Sequence, residues 1–288
     1  MSKIEQTKKL NQVIQSFGFS KNKNKLPACV VSVAVIDLKT GEKFGYNENQ
    51  FIYPASLYKI YIAAEVLRQA ESKKIDLTKK ITISKMNAVD KKKEVAGDKR
   101  ALLSAGSSVS INYLLNLMIT RSDNTAANCL IDLVDRENIN KNIIKKYAWQ
   151  GSEVTRKFLQ RNLEDEKYKD AQITVTCARH VAEFLYLVEN EKLISKKMSR
   201  KLKKLLGQSL TAHKNPIYTP KGAKVYRKDG WLKVKSGNRN IVRWNSVGAI
   251  IESKNKKYII SIISVLKSKD IKTKFPLKRL AKEIYNLV

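Results

Sequence analysis

Ser56 and Lys59 are spaced in a way that suits an activated nucleophile. A serine hydroxyl attacks a carbonyl carbon poorly until a base removes its proton. Three residues are almost one helical turn, so the two side chains would share a helix face. Lys59 could accept the proton if burial lowered its basicity. Free backbone N–H groups at the helix start could then stabilise an oxyanion. This spacing alone is common by chance.

A second polar cluster, Ser122-Asp123-Asn124, lies between two predicted helical stretches. A hydroxyl and an amide in such a connection could reach a substrate, where the hydroxyl moves a proton and the amide positions a carbonyl. The alternative is a plain helix cap, since serine, aspartate and asparagine are the preferred residues there. Taken alone, the cluster favours the cap.

The order of the motifs along the chain favours a catalytic role over a plain helix cap. S-x-x-K at Ser56, S-D-N 66 residues later and a strand-borne Lys-x-Gly about 105 residues beyond resemble the signature of the penicillin-recognising serine enzymes. Residues 109–130 resemble that family's segment around S-D-N, and residues 151–156 resemble its G-x-x-x-T-R stretch. The resemblance covers roughly residues 28–266 and is nearest to the class A β-lactamases.

The resemblance implies a serine hydrolase that works through an acyl-enzyme. Ser56 would be acylated, Lys59 would be a general base, and Ser122 would pass a proton to the leaving nitrogen. Asn124 would hold Lys59 and the amide of the substrate. We expect class A β-lactamase-like hydrolysis of a β-lactam or a related amide. Two alternatives remain open: a penicillin-binding D-Ala-D-Ala peptidase with slow deacylation, and a non-catalytic basic binding module.

The third motif has two candidates. Lys235-Ser236-Gly237 matches the family's usual letters and includes the hydroxyl that binds a substrate carboxylate. The stretch Lys228-Asp229-Gly230-Trp231 lacks that hydroxyl but has the spacing of family members with P-x-G-x-x-V-x-x-K-T-G-W. We favour the second, because a turn at residues 236–239 would place Lys235 at a hairpin tip.

Under this assignment the backbone N–H groups of Ser56 and Trp231 would form the oxyanion hole, and Lys228 would lie opposite Val247. Asp229 would put a negative charge near the carboxylate of a β-lactam, so affinity should fall unless Lys228 or Arg243 compensates.

Deacylation is the second departure from the family pattern. Class A enzymes place a water-activating glutamate after the T-R stretch, where the two possible alignments give Arg161 or Gln160. Glu164 and Glu166, with Asp165 between them, could substitute if the loop is shifted, or they could be surface residues of a lysine-rich loop. Without the glutamate, an acyl-enzyme would form and persist.

The elements that must position these residues follow from hydrophobic periodicity. Residues 3–17 predict an amphipathic helix, and residues 28–37 and 43–46 predict a hairpin of two strands. Helices are predicted after Pro54, after a cap at Ser110, around 127–134 and over 176–206. Three strands (224–235, 241–252 and 258–266) and a helix over 275–288 complete the chain.

These elements predict an α/β (α+β) fold with a five-stranded antiparallel sheet flanked by the two terminal helices, plus an all-helical lobe. We expect residues 1–50 and 202–288 to form the sheet domain, and residues 51–201 to form the helical domain inserted in the chain.

Composition limits the partners. The net charge of +31 is spread along the chain, which is typical of solvated lysine-rich faces; nucleic acid binding is possible but not favoured. Three cysteines and two histidines show no metal-ligand spacing, so we expect free thiols, no metal and no cofactor. No apolar stretch is long enough to span a membrane. We expect a monomer that binds a small β-lactam or a peptidoglycan-like peptide.

The first ten residues contain no apolar core of the signal-peptide type. As written, the sequence predicts a cytoplasmic protein, and a periplasmic or secreted location would require a leader that has been removed.

Overall fold

The computed structural model describes residues 2–18, 28–236, 240–269, 272 and 274–288. Its helices and strands are, in chain order, α1 (Lys3–Ser16), β1 (Ala28–Asp37), β2 (Lys43–Tyr46), α2 (Lys59–Glu71), β3 (Lys80–Thr82), β4 (Ser108–Ser110), α3 (Ile111–Thr120), α4 (Asn124–Val134), α5 (Arg136–Ile139), α6 (Ala178–Glu189), α7 (Lys196–Gly207), β5 (Lys224–Ser236), β6 (Asn240–Glu252), β7 (Lys257–Ser268) and α8 (Leu277–Leu287). Short 3₁₀ turns cover Ala55–Tyr58, Arg161–Leu163 and Glu166–Tyr168, and a π-helical turn covers Asn140–Lys145.

The predicted five-stranded antiparallel sheet is confirmed. Its strand order is β2-β1-β7-β6-β5, so the first long strand of the chain pairs with the last. Apolar residues of α1 and α8 pack against alternate residues of β1, β6 and β7 in one buried cluster. Because side chains alternate between the two faces of a strand, this cluster uses one face of the sheet.

The chain divides into two compact units. Unit 1 comprises residues 1–57, 176–186 and 212–288, and unit 2 comprises residues 58–175 and 187–211. Unit 1 therefore contains the sheet, α1, α8 and most of α6. Within unit 1, α6 packs so closely on β6 that a Cβ on Gly248 would come within 2.7 Å of Val181 and 3.3 Å of Leu185.

Unit 2 is mainly helical. In α2, ten of the thirteen residues are buried, and α3 and α4 pack against it. The predicted cap of α3 is present, since the Ser110 hydroxyl accepts a hydrogen bond of 3.2 Å from the backbone N–H of Tyr113.

Two features of the chain differ from the sequence prediction. The short strands β3 and β4 pair with each other in unit 2, although this lobe was expected to be all-helical. Strands of three residues show no readable alternation of polar and apolar residues. The stretch 176–206 is two helices, α6 and α7, with residues 190–195 between them.

In the described part of the chain, the helices are too short or too polar to cross a lipid bilayer.

Candidate active site

Ser56 lies in the 3₁₀ turn Ala55–Tyr58 that leads into α2, with its side chain half-buried. The turn is closed by a hydrogen bond of 3.2 Å from the N–H of Leu57 to the carbonyl of Pro54. Ala55 has φ +48°, a left-handed conformation that residues with a side chain adopt at a cost of about 1–2 kcal/mol. The backbone before the serine is therefore held in a constrained shape.

Strand β5 approaches this turn within unit 1. A Cβ on Gly230 would overlap the carbonyl oxygen of Pro54 and come within 2.8 Å of the Leu57 nitrogen, so only glycine fits there. The hydroxyl of Ser246, opposite Gly230 on β6, donates to the same Pro54 carbonyl. These contacts fix the Lys228–Trp231 stretch against the backbone that carries Ser56.

Lys59 begins α2 and is completely buried in unit 2. Its Nζ donates to three oxygens: the carbonyl of Ser122 at 2.7 Å, Oδ1 of Asn124 at 2.7 Å and, more weakly, the hydroxyl of Ser122 at 3.4 Å. The side chains of Lys59, Ser122 and Asn124, predicted from separate motifs, are thus brought together.

Burial lowers the pKa of Lys59 from 10.5 to about 8, because an ammonium group loses its hydration inside the protein. The charges of Asp90, Asp123 and Glu94 oppose this shift. With a pKa of about 8, roughly one lysine in ten is neutral at pH 7 and able to accept a proton.

The S-D-N segment is a strained connection between α3 and α4. Ser122 has φ +64°, the left-handed conformation that favours glycine. Asp123 caps α4 through a hydrogen bond of 2.8 Å from the N–H of Ala126, and it pairs with the buried Arg121 at 2.8 Å. Helix capping and a place beside Lys59, which the sequence offered as alternatives, therefore occur together.

Phe158 and Asp90 are neighbours of this cluster that the sequence analysis missed. The ring of Phe158 has its centroid 4.1 Å from Nζ of Lys59 and stacks on Tyr58 at 5.1 Å. The carboxylate of Asp90 receives hydrogen bonds from Asn124. Nothing in the local sequence marks either residue, since both contacts join segments more than 30 residues apart.

A cavity of about 790 Å³ in unit 2 extends from Asn124 and Phe158. Its remaining walls are mainly apolar, formed by Lys85, Met86, Ala88, Val89, Lys91, Leu159, Gln160 and Leu163. The cavity is large enough for a drug-sized group.

The acidic residues proposed for deacylation have other partners. Glu164 is buried, pairs with Arg136 at 3.0 Å and accepts a hydrogen bond of 3.0 Å from the backbone N–H of Lys157. Asp165 also pairs with Arg136. Glu166 is 86% exposed and pairs with Lys169. The glutamates thus hold the loop or face solvent, and the group over Lys59 is the ring of Phe158.

The two candidates for the third motif occupy different places on β5. Lys228 is fully buried in mid-strand, and its Nζ donates to the carbonyl of Asp229 at 3.0 Å. Lys235 is exposed and lies five residues beyond Gly230. The side chain of Ser236 and residues 237–239 lie outside the described part, so the predicted turn there is not described.

One expectation about β5 is corrected, and Asp229 has a partner that was not expected. Lys228 pairs with Gly248 and Asp229 with Val247, a register one residue away from the predicted one, because three residues rather than two separate the paired ends Ser236 and Asn240. The Asp229 carboxylate is buried and bound by Arg227, with Nε 3.0 Å from Oδ2. Arg227, which the sequence analysis did not name, therefore compensates its charge.

Trp231 and Arg243 line a second cavity, of about 770 Å³, within unit 1. Nζ of Lys214 lies 5.4 Å from the centre of the Trp231 ring, and Arg243 pairs across the strands with Lys233. Among the described residues of the cavity wall, six are lysine or arginine and none is acidic. An anionic group would be favoured there over a cation.

All three cysteines are free thiols, with Cys129 and Cys177 buried and Cys29 half-buried. Among the described residues, no three histidine, cysteine, aspartate or glutamate side chains are grouped closely enough to hold a metal ion. The expected absence of a cofactor stays a prediction.

The sequence model described as the β-lactamase enzyme family matches residues 7–288. β-Lactamase PSE-4 of Pseudomonas aeruginosa is 28% identical over 104 residues, which is 36% of this chain and 34% of that protein. β-Lactamase CARB-3 of the same species has the same identity over the same length. The chain thus spans about a third of the length of the curated relatives it matches.

Solved structures share the fold over almost the whole chain. The extended-spectrum β-lactamase TLA-1 superposes with a TM-score of 0.77 at 19% identity, covering 98% of both chains. A PBP-A variant in an acyl-enzyme complex with penicillin G gives a TM-score of 0.75 at 14% identity, covering 98% of this chain and 96% of that one. A class A β-lactamase from Bacteroides cellulosilyticus gives 0.76 at 18% identity, covering 98% of both.

Proposed function

The chain belongs to the β-lactamase enzyme family, and from this premise we propose that it is a serine hydrolase that is acylated at Ser56 by β-lactams or related amides and releases the acyl group slowly. The observation that carries the proposal is Lys59, which is fully buried, has a pKa of about 8 and is bonded to both Ser122 and Asn124. A base with a pKa near the working pH is the group that a serine nucleophile requires.

In the proposed acylation, each residue has the role that the family resemblance implies. Neutral Lys59 takes the proton of the Ser56 hydroxyl while Oγ forms a bond to the carbonyl carbon of the substrate. The carbonyl oxygen becomes an oxyanion, which the backbone N–H groups of Ser56 and Trp231 stabilise. Ser122 passes a proton from Lys59 to the leaving nitrogen, and the C–N bond breaks. Asn124 orients Lys59 and binds the amide of the substrate.

Slow deacylation is supported by Phe158. Hydrolysis of the acyl-enzyme needs a base that activates a water molecule. The group beside Nζ of Lys59 at that side is the ring of Phe158, which cannot act as a base. The acids of the same loop are bound to Arg136 or exposed. These contacts favour a penicillin-binding, peptidase-like acyl-enzyme over a β-lactamase with rapid turnover.

The test is intact-protein mass spectrometry during incubation with penicillin G, with Ser56→Ala as control. We expect an adduct of one penicillin on the wild-type chain that lasts after free drug is removed, and none on Ser56→Ala. A short-lived adduct with accumulating hydrolysed penicillin would support a β-lactamase instead. Absence of any adduct would refute the acylation proposal and favour a binding module.

The role of Phe158 is tested by Phe158→Glu, with Phe158→Gln as the matched control. A carboxylate beside Lys59 should activate water and shorten the lifetime of the adduct by about 100-fold. The glutamine variant removes the ring without adding a base, so its adduct should last nearly as long as in the wild type. Equal shortening in both variants would show that the ring only shields the adduct.

A further inference from the structure

The carboxylate of Asp90 is bound to the start of α4. Its Oδ2 accepts hydrogen bonds from the backbone N–H groups of Asn124 at 2.7 Å and Thr125 at 3.1 Å. Its Oδ1 accepts from the side-chain Nδ2 of Asn124 at 2.9 Å. One half-buried carboxylate thus holds both the backbone and the side chain of Asn124.

The loop that carries Asp90 is held in return. The buried hydroxyl of Thr125 accepts hydrogen bonds from the N–H groups of Val89 at 3.1 Å and Asp90 at 3.3 Å. The loop and the helix start therefore fix each other from both sides, as reciprocal capping does at other helix starts. Asp90 has little freedom to leave Asn124.

This arrangement sets the orientation of the Asn124 amide. An ionised carboxylate only accepts hydrogen bonds and an ammonium group only donates them. The amide NH₂ must therefore face Asp90, and its oxygen must face Nζ of Lys59, 2.7 Å away. If the amide turned over, an NH₂ would face an ammonium and an oxygen would face a carboxylate, and both hydrogen bonds would be lost.

We propose that Asp90 is a positioning residue for acylation, which acts by fixing the Asn124 amide so that its oxygen holds Lys59 beside Ser122. The inference rests on the proposed function, because acylation is its principal readout. Asp90 touches Lys59 through Asn124, so its role is orientation of the base rather than proton transfer.

Its charge has a second effect on the same lysine. Of the groups that raise the pKa of Lys59 against burial, Asp90 acts most strongly, followed by Asp123 and Glu94. Among the described residues, Lys59 also faces the oxygens of Ser122, Oδ1 of Asn124 and the ring of Phe158. Removing the charge of Asp90 should therefore lower the pKa of Lys59 further.

The experiment measures the second-order acylation rate with penicillin from pH 5 to 10 for the wild type, Asp90→Asn and Glu94→Gln. Glu94→Gln is the matched control, since it removes another carboxylate whose charge acts on Lys59. For Asp90→Asn we expect a plateau rate lower by up to about 100-fold and a midpoint at lower pH. For Glu94→Gln we expect an unchanged plateau and a smaller shift in the same direction.

A double-mutant cycle separates orientation from general damage. If Asp90 acts through the amide, Asn124→Ala and the double variant Asp90→Asn/Asn124→Ala should have the same plateau rate. Asp90→Glu keeps both carboxylate acceptors, of which Asp90→Asn keeps only one, and should recover part of the plateau. A wild-type plateau in Asp90→Asn, or a loss that adds fully to that of Asn124→Ala, would overturn the proposal.

A titration of Lys59 by NMR, on protein labelled at the lysine side chains, does not require acylation. The midpoint for Lys59 should be lower in Asp90→Asn than in the wild type, and an unchanged midpoint would also overturn the proposal. A wild-type chain that forms no penicillin adduct would refute the proposed function instead, so the two failures are distinguishable.

Discussion

Lys59 and Lys228 are both completely buried, one in each unit, but their surroundings differ. Lys59 faces three oxygens contributed by the S-D-N segment, with three carboxylates acting on it through space. Lys228 lies in the middle of a sheet strand and donates to a backbone carbonyl, while the neighbouring carboxylate of Asp229 is bound by Arg227.

The difference suggests that the two buried lysines have different roles. Lys59 is surrounded by groups that set its pKa and can relay its proton, as a general base requires. Lys228 is held on a rigid strand two residues before Gly230, where an ammonium donor can bind a substrate. The comparison predicts that loss of Lys59 affects the chemical step and loss of Lys228 affects substrate capture.

The largest effect is expected for Lys59→Met. Removal of the base should lower the limiting acylation rate by about 1,000-fold, since general bases contribute about 100- to 10,000-fold. Stopped-flow measurement at saturating penicillin checks this rate, and circular dichroism checks the fold. A variant that is acylated within about 10-fold of the wild-type rate would show that another base acts. The distinction between the roles of Lys59 and Lys228 would then be wrong.

Lys228→Met should act on affinity more than on rate. We expect the penicillin concentration at half-maximal acylation to rise by about 10-fold, as for loss of one charge-assisted hydrogen bond. Lys235→Met, on the exposed part of β5, is the control and should leave both constants near the wild type. A large loss for Lys235→Met with little change for Lys228→Met would move the third motif to Lys235.

The pH dependence of the wild type tests the role of Lys59 without any substitution. Because the pKa of Lys59 is about 8, its neutral form and the acylation rate should rise about tenfold per pH unit below pH 8 and level off above it. The free energy of unfolding should change in the same direction. Because the pKa of Lys59 is lower in the folded protein than in the unfolded chain, stability rises with pH between about 8 and 10.5. An acylation rate that falls as the pH rises toward 8 would exclude Lys59 as the base.

Much of the sheet could be predicted, because runs of β-branched residues such as 28–37 carry a clear strand signal. The grouping of Lys59 with Asn124 came from the resemblance of motif order, since no local pattern links residues 65 positions apart. The pairing of Arg227 with Asp229 was missed, although residues two apart on a strand share a face and the pairing follows from that rule.

The remaining contacts could not be predicted from any local sequence pattern. Asp90 and Phe158 sit in irregular segments, where polar or aromatic residues have no periodicity to interpret. The place of α6 in unit 1 depends on its contact with Gly248 of β6, more than 60 residues later in the chain. Such contacts are decided by tertiary packing, which overrides local propensity.

The pairing of β1 with β7 also bears on how the chain is made. Ala28 pairs with Lys267, so β1 leaves the ribosome early but waits until almost the whole polypeptide has been synthesised for this partner. Unit 2, which is mostly one continuous segment, has its own partners much sooner. Contacts of such long sequence separation form slowly, so the edge of β1 stays open to chaperones or to wrong strands for most of translation.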